Sequence, residues 1–121
     1  MKLETLAWPE ARSLGRESDR VFVVSLGSFE QHGRHLPMIT DTAIITQIAR
    51  RAESAAPDSV VLSPTPWIGH SPHHRASACN FDELAEGGTV GSPSCATSEK
   101  GGRFLDAATD ATLTFRRGVF N

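Results

Sequence analysis

"RVFVVSLGSFEQHGRHLPMITDT", residues 20–42, decides the fold, because an apolar run, a polar loop and a helix start follow one another without a break. Residues 20–26 are β-branched and apolar on both faces, the pattern of a strand buried on both sides of a sheet in an α/β protein. The loop after it carries Glu30, His32, His35 and Asp41. Thr40 or Asp41 then caps a helix running to about Ala55. Ile44, Ile48 and Ala52 form its apolar stripe, Ile45 and Ala49 lie beside it, and Arg50, Arg51 and Glu53 face away. "APD", residues 56–58, ends this helix, and "SVVLSP", residues 59–64, reads as a second apolar strand. Strand, crossover helix and strand make a βαβ unit, which implies parallel pairing and a right-handed crossover.

Upstream, "WPEARSLG", residues 8–15, predicts a short helix with Pro9 in its first turn and Gly15 as its stop. Downstream, no period is evident from Pro64 to about Gly91, a stretch rich in Pro, Gly and Ser. "CATSEKGGRFLDAATDATLTFRR", residues 95–117, then predicts a second long helix. Thr97 is its candidate cap, and Phe104, Ala108, Ala111 and Phe115 are its stripe. Gly101 and Gly102 weaken its first turns by about 1 kcal/mol each.

The 121 residues suit one domain with a modest core. Hydrophobic residues make up 39% and charged residues 21%, a globular composition. The net charge of −2 gives no electrostatic reason to expect nucleic acid or an anionic membrane as partner. No apolar run is long enough to span a bilayer, and the N-terminus has no signal-peptide core. Cys79 and Cys95 sit in no CxxC spacing, as expected of reduced thiols in a cytoplasmic protein.

Glu30, His32, His35 and Asp41 supply the oxygen and imidazole donors that zinc, manganese and iron accept. In open parallel sheets ligands bind beyond the carboxyl ends of the strands, where Glu30 and His32 fall. Two residues apart on an extended segment, both can face one site. Asp41 at a helix N-terminus is kept ionised with help from the helix dipole. Spacing alone leaves the bland alternative open, since exposed loops collect polar residues.

"GSFEQHGRHLPMITDT" resembles the N-terminal motif of the creatininase (creatinine amidohydrolase) family, G-S-x-E-Q-H-G-x-H-L-P-L-x-T-D. Gly27, Ser28, Glu30, Gln31, His32, Gly33, His35, Leu36, Pro37, Thr40 and Asp41 all agree. Met38 replaces a leucine and Arg34 a common proline. "LAWPEARSL" resembles the family's opening helix. "PTPWIGHSPHH" resembles its P-x-x-x-G-x-S-x-E-H segment, with Gly69, Ser71 and His74 matching and His73 in place of glutamate. "GGTVGSPSCATSEKG" resembles its C-terminal G-V-x-G-D-P-x-x-A-T-x-E-K-G segment, with Ser92 replacing the aspartate.

The resemblance implies an α/β fold, a partial three-layer α/β/α creatininase-like sandwich with a parallel β-sheet, and a homo-oligomer. It implies a metal-dependent amidohydrolase acting on a cyclic amide or a peptide amide bond of a small-molecule or peptide substrate, with a divalent cofactor, zinc or manganese. Glu30 would bind one metal, His32 another, and Asp41 would bridge them, while His35 would orient a ligand. No residue is assigned a separate catalytic role. The similarity covers about residues 3–74, breaks, and resumes over about 87–117, so the chain reads as a single truncated domain. A histidine from an N-G-H-G-G-N-type loop and a further glutamate, both metal ligands in the family, have no match. His70, His73 and His74 are either a solvated loop or the source of a substitute donor, with His74 and His70 the leading candidates. The alternative to an enzyme is an inactive truncated remnant that binds metal weakly or associates with a full-length relative.

Overall fold

Three consecutive aliphatic residues, Val60, Val61 and Leu62, are 1%, 0% and 5% exposed and form the centre of the core. They make up strand β3 (Val60–Leu62) in a computed structural model that describes residues 1–17, 20–69 and 92–120. Before it come α1 (Trp8–Glu17), β1 (Val21–Val23), β2 (Gly27–Ser28) and α2 (Thr40–Ala55); after it come β4 (Trp67–Ile68) and α3 (Ser98–Phe120).

β1 pairs with β3 in parallel, Val21 opposite Val60, and β2 pairs with β4 in parallel, Gly27 opposite Trp67. The βαβ expectation is therefore met, and the α/β class with it. Of the run expected as one strand, residues 20–26, only Val21–Val23 is strand; β2 forms just past it, in the segment expected as loop, and the pairing offset grows by one residue between the two ladders. The cause lies in the partner segment. Pro64 and Pro66 carry no N–H for a ladder, so the extra residue is absorbed there as in a bulge. The two segments stay joined at this point by Ser63 N–H to Val23 O (3.0 Å), Gly27 N–H to Pro66 O (2.9 Å) and the Ser25 and Thr65 hydroxyls (2.7 Å).

Burial on both faces holds for β3 but not for residues 20–26. Phe22, Val24 and Leu26 are 47%, 61% and 64% exposed, whereas Ser25 between them is 6% exposed. Alternation puts the three apolar side chains on one face. On the other side α2 packs on β2 and β3, and α3 packs on α2, with Arg51 paired to Asp106 across the helices.

The helix boundaries also refine the sequence reading. α1 continues past Gly15 to Glu17, and its start is braced by the Ala7 N–H donating to Glu10 Oε2 (2.7 Å). Ile39, not Thr40 or Asp41, occupies the cap position of α2, without a side-chain cap bond. Its buried residues are Thr42, Ala49 and Ala52, and Ile44 is 42% exposed. Glu53 does not face away, since its Oε1 accepts from the Met1 amino group at 2.6 Å. Thr97 does cap α3, its Oγ1 accepting from Lys100 N–H at 3.2 Å. The expected α3 stripe is displaced: Phe104 and Phe115 are 63% and 71% exposed, and Thr109 is the buried residue. No described helix is long and apolar enough to cross a membrane.

Candidate metal centre

The loop leaving β2 is closed on itself before α2 begins. Glu30 N–H donates to Met38 O (3.2 Å), and Thr40 N–H donates to Pro37 O (3.1 Å). Gly33 turns the chain with φ 69°, a left-handed conformation that favours glycine, and its N–H donates to Gln31 Oε1 at 2.9 Å. The start of α2 is pinned to the strand by Thr42 Oγ1 donating to Ser28 O at 2.7 Å. Gly27 permits that approach. A Cβ there would lie 2.4 Å from Thr42 Oγ1 and 2.8 Å from Thr42 Cα, inside any real contact distance.

This docking brings Asp41, in the first turn of α2, to the loop. One ligand atom from each of Glu30, His32 and Asp41 lies within 4.8 Å of the others, and the group is half-buried. It is the one such cluster among the described residues. His32 Nδ1 lies 3.0 Å from Glu30 O and Nε2 lies 3.0 Å from Asp41 Oδ1. A carbonyl only accepts, so Nδ1 carries a proton and Nε2 is the atom that titrates or binds an ion. Burial disfavours the imidazolium. The Asp41 hydrogen bond, the Glu30 carbonyl and the negative charges of Asp41 and Glu30 together outweigh it, and the pKa is raised above the ordinary 6.5.

The donor set fits a divalent ion. Two donors each about 2.1 Å from a tetrahedral zinc lie about 3.4 Å apart, so a slight opening of the Nε2–Oδ1 pair admits one. Three protein donors with an open position is the arrangement of catalytic zinc. The Glu30 carbonyl holds the His32 ring through Nδ1, and His35 is exposed. His70 and His74, and with them His73 and Cys79, lie outside the described residues. Sequence reasoning did not find the part played by the Glu30 carbonyl or by Thr42. The signal for Thr42 was a polar residue on the helix face that meets a glycine-bearing strand.

A family model described as Creatininase: Creatinine amidohydrolase matches residues 4–82. Two curated proteins of Mycobacterium tuberculosis, from strains CDC 1551 / Oshkosh and ATCC 25618 / H37Rv, match as well, each named mycofactocin precursor peptide peptidase. Each is 38% identical over 64 residues, covering 46% of this chain and 26% of the relative. The chain thus spans about a quarter of the length of the curated relatives it matches. No solved structure gives a significant match.

Proposed function

This chain belongs to the creatininase family, and from that membership we propose that it hydrolyses an amide bond using divalent zinc or manganese held by Glu30, His32 and Asp41. The observation that carries the reading is the convergence of these three donors within 4.8 Å at the end of a parallel strand. When bound, such an ion lowers the pKa of a water and polarises the amide carbonyl. The protein's own contribution is to hold Nε2 of His32 towards the ion through the Nδ1–H bond to Glu30 O and to supply two carboxylates that offset the ion's charge. Asp41 stands in the first turn of α2. The curated relatives are named peptide peptidases, which favours a peptide over a cyclic amide as substrate. A cytoplasmic homo-oligomer completes the reading, and the exposed Phe22, Val24 and Leu26 accord with association between copies.

The donor count favours a second reading. Three donors within 4.8 Å serve one ion, not the pair that the family pattern implies, unless His70 or His74 adds another. On that reading the chain binds a single ion weakly and turns over negligibly. Both readings are tested by measuring bound zinc or manganese and by assaying short peptides and small cyclic amides with either ion, in the parent and in His32→Ala. Metal-dependent turnover that vanishes in the variant establishes the hydrolase. One weakly held ion without turnover establishes the remnant.

A further inference from the structure

We propose that Gln31 is a positioning residue for the candidate metal centre: its side-chain carbonyl fixes the turn that carries His32, so that the ring keeps Nε2 directed at the ion. The inference rests on the metal-hydrolase reading and adds to it a residue that gives the ion no donor. Gln31 Oε1 accepts from the N–H of Gly33 at 2.9 Å, a bond that spans His32. Gly33 has φ 69°, so the chain turns immediately after His32. A side-chain oxygen that accepts from an N–H two residues on imitates a backbone turn, as asparagine does in an Asx turn.

The His32 ring is held at both nitrogens, Nδ1 lying 3.0 Å from Glu30 O and Nε2 3.0 Å from Asp41 Oδ1. Nδ1 and its acceptor belong to the same loop, two residues apart. Their bond therefore directs the ring only while the backbone between them keeps its course. The base of the loop is tied by Glu30 N–H to Met38 O (3.2 Å) and by Thr40, whose N–H and hydroxyl both donate to Pro37 O (3.1 and 2.5 Å). Isolated bridges join His32 to Arg34 and to Leu36. These ties set where the loop lies. The Gln31 bond acts on the two residues flanking His32, and so on the direction in which the ring leaves the backbone. Gln31 is exposed and the bond faces solvent, so water can replace it at little cost to the fold as a whole. Its loss should be felt at the ring and not in global stability. Partners that orient a metal-binding histidine influence affinity without touching the ion.

The test compares the whole chain with Gln31→Leu, which removes the acceptor, and Gln31→Asn, which keeps a neutral acceptor able to reach the N–H two residues on. In the metal-free protein, NMR of the His32 ring should show the Nδ1–H proton in the parent. That proton should exchange with water about tenfold faster in Gln31→Leu and regain its protection in Gln31→Asn. Affinity for zinc or manganese, by calorimetry, should fall about three- to tenfold in Gln31→Leu and return to within about twofold of the parent in Gln31→Asn. The urea midpoint should be the same in all three. Ring exchange or metal affinity indifferent to Gln31→Leu overturns the proposal, as does a loss that Gln31→Asn leaves unrepaired. A urea midpoint that falls in step with affinity, or a Gln31→Leu chain that does not fold, shows a merely structural role and overturns it too. The two readings fail separately. Ring protection that follows the Gln31 series in a chain binding neither ion removes the metal reading alone. Metal held through His32, as His32→Ala reports, with an affinity indifferent to Gln31→Leu removes this one alone.

Discussion

At His32 a proton, favoured by the neighbouring Asp41 and Glu30, competes with any bound ion for the same nitrogen. Nε2 is shared with a proton while Asp41 Oδ1 stands 3.0 Å away, and the pKa lies above 6.5. A metal ligand must be unprotonated, so affinity for zinc or manganese should fall as pH drops through that raised pKa, with release of a proton on binding. Calorimetry in buffers of different ionisation enthalpy checks this, and an affinity flat across the range refutes it. The metal-free chain behaves in the opposite sense. A histidine whose folded pKa exceeds its unfolded value stabilises the fold fully below the unfolded pKa and loses that contribution as pH rises through the folded one. The urea midpoint of the parent should therefore exceed that of Asp41→Asn most at about pH 6, with the gap closing as pH rises through the raised pKa. The donors themselves were legible in the sequence, because spacing of two on an extended segment and an aspartate at a helix start fix directions without knowledge of packing. The Glu30 carbonyl was not, since any residue carries one and only the turn at Gly33 aims it at the ring.

Between elements, the decisive contact is the start of α2 against β2. Gly27→Ala places a methyl group against both the hydroxyl and the Cα of Thr42, so the helix must move away from the strand and carry Asp41 with it. Overpacking of this kind costs about 1–3 kcal/mol, and metal affinity should drop in the same variant even though no donor has changed. Adding Thr42→Ala relieves the hydroxyl clash but not that with the backbone, so rescue should be partial; full rescue would mean that the helix position does not matter. At α3, Thr97→Ala removes a side-chain cap and should cost about 1 kcal/mol in a denaturant titration. That cap was readable from local chemistry. The helix faces were not, because apolarity was taken as the guide to burial. Thr42 is buried because its hydroxyl has Ser28 O as partner, and that rotates Ile44 outward.

Across the described residues, α2 packs on β2 and β3 and α3 packs on α2, and several large apolar side chains remain exposed. The apolar run announced a strand covered on both faces; the run by itself held no sign of whether a second layer would reach β1. Phe22, Val24 and Leu26 present one such face, and Phe104 and Phe115 present another on α3. Soluble monomers rarely leave contiguous apolar patches of this kind uncovered, and such surfaces mark association sites. Self-association that grows with concentration is therefore expected of the isolated chain, driven by burial worth roughly 25 cal/mol per Å² of apolar area. The Val24→Lys, Leu26→Lys double variant should lower the mass seen by light scattering. Its metal content should match that of the parent, because neither residue belongs to the loop or to α2. A monodisperse monomer at high concentration in the parent would mean that these faces are covered within the chain itself.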